Sequence, residues 1–164
     1  MSDIDFYVIA ATQNAVLGVP LGAPPEAWEG ALGGDFVDDV EKSLMRRDYG
    51  LVEISFTKRH GAWESVSVSL QIHRLARGLE DMVPPQLTQR YGEFSERVRF
   101  DRFHTALLAR GGALEEVPDA SPGGFGHFRE ATAGSSVYVV EEPPHSGLEP
   151  GTLWSIVASG GYRP

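Results

Sequence analysis

Two runs of strict alternation constrain this chain most. From Leu51, Val52, Ile54 and Phe56 fall on one side and Glu53, Ser55 and Thr57 on the other. After His60-Gly61, Val66, Val68, Leu70 and Ile72 alternate with Ser65, Ser67, Ser69, Gln71 and His73. Successive side chains of a strand point to opposite faces, so both runs read as strands with one dry and one wet face. The His60-Gly61 turn predicts that they pair as a hairpin.

Helices flank this hairpin. Pro24 and Pro25 suit first helical positions, Trp28, Ala31 and Leu32 follow at helical spacing, and Gly33-Gly34 ends the segment, predicting a short helix over 24–32. Phe100, Phe103, His104, Leu107 and Leu108 form a full apolar stripe before Gly111-Gly112, predicting a second helix over 98–110. Between them, Pro84-Pro85 marks a connection that leaves room for a short helix near Gln86 to Tyr91. Strands are expected around 113–117, 127–131, 136–141 and 152–158, with a Pro-Gly loop over 121–126. Both halves run from a helix into closely linked strands. That order predicts an α+β fold, mainly an antiparallel sheet with two principal helices packed on one face. The repeated order suggests a duplication, although no residue pattern aligns the halves.

The 164 residues read as a single domain over 1–164, and 41% hydrophobic residues suffice for a core. Lys plus Arg number 14 against 23 Asp plus Glu, a net charge of −9. Nucleic-acid binding needs clustered cations, so no nucleic-acid partner is expected and a basic protein becomes the natural one. Cysteine is absent, which removes disulfides and thiol chemistry. No stretch approaches the roughly 18 apolar residues of a membrane helix. The early apolar run Phe6 to Ala11 follows Asp3 and Asp5 rather than a basic start. A cytoplasmic protein without a membrane partner is the expectation.

Motifs for chemistry are missing. His60, His73, His104, His127 and His145 stand singly, without the paired spacing of a helical metal site, so no metal or other cofactor is expected. Neither a G-x-S-x-G elbow nor a glycine-rich phosphate cradle occurs among the 19 glycines. Hence no catalytic residue is assigned and the chain is read as a non-enzyme.

Charge pattern supplies the candidate site. Glu26, Glu29, Asp35, Asp38, Asp39 and Glu41 lie within one segment that holds no Lys or Arg. A solvated acidic surface is the plain account of such a run, and steering of a cationic partner is the functional one. Trp28 and Phe36 lie in the same segment, and aromatic anchors within a charged rim characterise protein interfaces. Trp28 fits the core by its helical spacing, which leaves Phe36 as the exposed anchor. Arg46, Arg47 and Asp48 mix signs and are expected to pair locally with Asp38 or Asp39. A second acidic group comprises Glu115, Glu116, Asp119, Glu130, Glu141, Glu142 and Glu149, interrupted by Arg129.

The run Leu21-Gly22, Pro24-Pro25-Glu26, Trp28-Glu29, Asp35-Phe36-Val37-Asp38-Asp39, then Arg46-Arg47-Asp48-Tyr49-Gly50-Leu51-Val52-Glu53 and Gln71-Ile72-His73-Arg74-Leu75, resembles small acidic proteins of high-GC Gram-positive bacteria. These are similar in layout to immunity proteins of polymorphic toxin systems. The resemblance covers residues 17–75 and implies a cytoplasmic protein that binds and blocks a partner toxin, and the net charge of −9 suits a basic one. The charge pattern supplies the partner-binding residues expected for such an inhibitor: Glu26, Glu29, Asp35, Asp38, Asp39 and Glu41, with Phe36 as the apolar anchor.

Two alternatives stay open. One is a small-ligand or catalytic domain using Ser67, Ser69, Gln71 and His73 on the polar face of the 51–75 hairpin. The other is an assembly protein using an open sheet edge, with Val137 to Val140 as the edge-like segment.

Overall fold

A computed structural model describes residues 1–118, 123–142 and 147–160. In chain order the elements are α1 (Asp3–Gln13), β1 (Ala15–Val16), β2 (Val19–Pro20), α2 (Pro25–Leu32), β3 (Val37–Glu41), β4 (Leu44–Asp48), β5 (Val52–Arg59) and β6 (Ala62–Leu70). A 3-10 turn over Ile72–Arg77 leads to α3 (Pro85–Tyr91), α4 (Phe100–Ala109), β7 (Leu114–Glu116), β8 (Phe125–Glu130), β9 (Ser136–Val140) and β10 (Leu153–Ser159). Asp119, Ser121, Pro122, His145 and the segment 161–164 lie outside the described residues.

The expected antiparallel sheet forms with eight strands in the order β3-β4-β5-β6-β10-β9-β8-β7. Each half of the chain contributes one four-strand meander, and the two meet where β10 pairs antiparallel with β6. The first strands of the two meanders, β3 and β7, are therefore the free edges. That mirrored order matches the repeated element pattern of the sequence.

One face of the sheet meets the helices in a single core. Ile54, Phe56, Val68, Leu70, Val137 and Ile156 pack with Phe6, Tyr7, Trp28, Leu32, Leu87, Phe103 and Leu107. Trp28 is fully buried, as its spacing predicted. The helices over 24–32 and 98–110 and the short helix near Gln86 to Tyr91 also form as expected.

A third long helix, α1, adds to the two that the sequence pattern indicated. It is buried on nearly every side, through Ile4, Phe6, Tyr7, Val8, Ala10 and Ala11, so it lacks the polar face that makes a helix legible. Its start is fixed by the Asp5 carboxylate, which accepts hydrogen bonds from the Ser2 backbone N–H at 2.7 Å and hydroxyl at 3.2 Å. Those bonds, with the Arg110 guanidinium that also donates to Asp5, hold its carboxyl below the usual range. Its far end is tied to the β8–β9 turn: Ser135 donates to the Ala11 carbonyl at 2.6 Å and Asn14 to the Ala133 carbonyl at 2.8 Å.

Within the 51–75 hairpin the alternation breaks at Val66. Register steps from Ser55 opposite Ser67 to Phe56 opposite Ser65, so Val66 is the extra residue of a bulge. Ser65 consequently turns inward, where it is 3% exposed and its hydroxyl has no partner. The second strand ends at Leu70, and Ile72 is buried from the 3-10 turn instead. Val137 to Val140 is not an edge: β9 lies between β10 and β8.

Candidate functional site

The acidic segment 26–41 wraps one end of the sheet. α2 presents Glu26 and Glu29 to solvent, Asp35 is exposed in the link that follows, and the chain then turns back as the hairpin β3–β4. A turn at Lys42-Ser43 joins the two strands, with Lys42 in a left-handed conformation at φ 55°. All five residues of β3 are exposed, among them Val37 at 72% and Val40 at 56%, and Leu44 on β4 is 58% exposed.

Arg47 fixes this hairpin to the body. Arg47 is 5% exposed, and its guanidinium makes two hydrogen bonds to the Asp38 carboxylate at 2.9 and 3.0 Å and donates to the Pro25 carbonyl at 3.0 Å. It also lies 3.7 Å from the centre of the Phe36 ring and 5.6 Å from that of Phe56. Burial works against the Arg47 charge, but the Asp38 carboxylate and the Tyr49 hydroxyl together more than offset this and leave the guanidinium above its ordinary pKa. Tyr49 closes the other flank, its ring 5.4 Å from Phe36 and its hydroxyl donating to the Gly33 carbonyl at 3.1 Å. Burial raises the Tyr49 hydroxyl above its usual value despite the nearby Arg47.

The seven residues singled out in the sequence therefore separate into two groups. Asp38 and Phe36 are structural. Phe36 is packed between Arg47 and Tyr49 and against the core, which corrects its assignment as an exposed anchor. Its partner lies across a strand pair, where no local pattern reveals it. The expected pairing of Arg47 with Asp38 is present, and Asp39 lies 3.9 Å from Arg46. Glu26, Glu29, Asp35, Asp39 and Glu41 remain on the surface. Of these, Glu26, Glu29, Asp35 and Glu41 have no ion pair among the described residues.

Side chains on β3 alternate. Asp38 lies on the helix side with Arg47, whereas Asp39 and Glu41 line a groove of about 300 Å³ on the opposite sheet face, together with Leu44, Arg46, Thr57 and Val66. Arg46 is shared between Asp39 and Glu53 at 3.9 and 3.6 Å, and Glu53 also receives Arg74 at 2.8 Å. Arg74 further donates to Asp48 at 3.0 Å and to the Gly50 carbonyl at 2.9 Å, which anchors the start of β5. The exposed apolar residues Val37 and Val40 are hidden in the sequence because acids flank them, and Leu44 because Lys42-Ser43 and Arg46 surround it with polar residues.

The alternative row on the long hairpin does not assemble as expected. Ser67 and Ser69 lie on β6, and Gln71 donates to the Ser69 hydroxyl at 2.8 Å. His73 leaves the strand for the 3-10 turn and stacks on Trp154, ring centres 4.0 Å apart and planes within 4°. Burial holds its pKa below the ordinary histidine value. His127 is 7% exposed, stacks on Tyr138 at 4.6 Å and is likewise lowered by burial. His104 stacks on Phe100. Among the described residues, no group of three or more His, Asp or Glu side chains is arranged to hold a metal ion. Glu130 of the second acidic group is turned inward, 1% exposed, and accepts the Thr132 and Ala133 N–H groups at 3.0 and 2.5 Å.

Among the described residues, no helix is long and apolar enough to cross a membrane. Comparison with protein-family models, with characterised proteins and with solved structures finds no match.

Proposed function

We propose that this chain is a non-catalytic protein-binding domain of the immunity-inhibitor kind, which engages and neutralises a basic protein in the cytoplasm. The observation that carries this reading is the β3 edge. Five consecutive exposed residues combine two outward carboxylates with the exposed aliphatic side chains of Val37 and Val40. Carboxylates steer a cationic partner and set the rate of encounter, whereas desolvated aliphatic contacts slow dissociation. Glu26, Glu29 and Asp35 on the adjoining surface extend the same negative field.

This division of labour predicts a specific salt response. For a partner captured from host lysate and then purified, affinity falls at least about tenfold between low salt and about 0.3 M NaCl, because exposed charges are screened over a Debye length. The loss lies mainly in the association rate, measured by stopped-flow mixing across a salt series. An association rate indifferent to salt contradicts the steering role of the acidic surface.

A further inference from the structure

We propose that the basic partner is held by strand addition: an amphipathic cationic segment pairs with the free edge of β3 and extends the eight-stranded sheet. This inference rests on the protein-binding reading above and specifies its mode.

Backbone geometry carries the argument. In an antiparallel ladder, hydrogen-bonded and non-bonded pairs alternate. Ser43 and Tyr49 direct their backbone bonds toward β5, through Lys58 N–H to the Ser43 carbonyl at 2.9 Å and Tyr49 N–H to the Val52 carbonyl at 2.8 Å. Met45 and Arg47 share that direction, so Leu44, Arg46 and Asp48 face β3 and bond Glu41, Asp39 and Val37 across the register. Asp38 and Val40 are left with both N–H and carbonyl groups pointing away from the sheet. Such a row is a template for another strand.

The opposite edge is less suited. β7 has only three residues and is followed closely by Pro118, and short edges with nearby proline are protected against pairing. β3 has five residues with neither glycine nor proline. Its acids also select the occupant. A second copy of this chain would bring Asp38, Asp39 and Glu41 against the same carboxylates, a like-charge arrangement that opposes self-pairing. A cationic strand meets no such penalty. The side chains beside Asp39 and Glu41 would be Lys or Arg, and those beside exposed Val40, on the helix side, would be apolar. The partner segment therefore alternates cationic and apolar residues. Lys42 at the turn sets the limit of the acidic stretch.

The test uses the full chain and the acetylated, amidated peptide Lys-Val-Lys-Val-Lys-Val-Lys as the probe. Two further versions carry N-methyl groups on all valine amides or on all lysine amides. In a paired strand only one of these sets faces β3, so one methylated peptide loses about tenfold or more in affinity while the other stays close to the parent. Amide exchange at Asp38 and Val40 slows in the complex. Val40→Pro, which removes an outward N–H that makes no ladder bond, weakens the parent peptide to a similar degree while its melting temperature reports the fold. Equal binding of both methylated peptides, abolished by the double change Asp39→Lys and Glu41→Lys, overturns strand addition and leaves the acidic-surface reading standing. Binding that survives this double change, or no binding of any peptide at millimolar concentration, overturns both.

Discussion

Replacing Arg47 by alanine lowers the stability of this protein by about 2–4 kcal/mol, with a fall in Tm of roughly 5–15 °C for a chain of this size. The guanidinium satisfies the Asp38 carboxylate twice and the Pro25 carbonyl once, and it fills the space between Phe36 and Phe56. Its loss strands a carboxylate and a carbonyl and opens a void beside two rings. Asp38 keeps 28% of its side chain in water, which holds the cost below that of a fully buried pair. Changing both partners, Arg47→Met with Asp38→Asn, recovers most of the loss, because neither charge is then left alone. Thermal unfolding of the two variants checks this. A single variant as stable as the double one contradicts the anchoring role given to Arg47.

A loss of at least about 3 kcal/mol follows from Gly50→Ala. Gly50 has φ +95°, and an added Cβ would stand 2.5 Å from the Met82 carbonyl oxygen. That oxygen accepts the Leu51 N–H at 2.7 Å, a bond that ties the segment before α3 to the start of β5. Since the obstruction is backbone, no side-chain rotation relieves it. The Met82 segment must move, breaking the Leu51 bond and loosening the contact between the two halves of the chain. Gly61→Ala is the control: its φ is +79° but nothing lies within 4 Å of the added atom, so only the conformational cost applies. Urea unfolding of both variants separates the steric contribution from the backbone one.

Legibility of the sequence followed contrast in burial. The runs over 51–57 and 67–70 and the α4 stripe, apart from Leu108 at 53% exposure, are visible because each buries one side and wets the other. α1 is hidden as a helix for the opposite reason, since it is buried on nearly all sides. β3 is legible only as an acidic stretch because it is exposed on all sides, and no period-two hydrophobicity survives in Val-Asp-Asp-Val-Glu. Strand order lay outside local pattern altogether. β9 looked like an edge from its composition, yet the return of β10 to β6 places it inside the sheet. At the candidate site the carboxylates were legible by count. Their division into Asp38, which is spent on Arg47, and Asp39 and Glu41, which face solvent, depends on the β3–β4 register. The packing of Phe36 is hidden for the same reason, because the cation that claims it lies on the neighbouring strand.

The central claim is that the β3 edge, rather than overall acidity, recruits the partner. Two double variants carry the same change in charge and differ only in place. Asp39→Lys with Glu41→Lys alters the edge, and Glu93→Lys with Glu96→Lys alters exposed carboxylates of the groove beside Met82 and Phe94. Each substitution adds two charges, so both take the net charge from −9 to −9 + 4 = −5. Calorimetric titration of the captured partner against the two proteins is the direct measurement. The edge variant is expected to lose about a hundredfold in affinity and the groove variant no more than a few fold. Equal losses in the two proteins, or a loss confined to the groove variant, would contradict the assignment of the binding surface to β3.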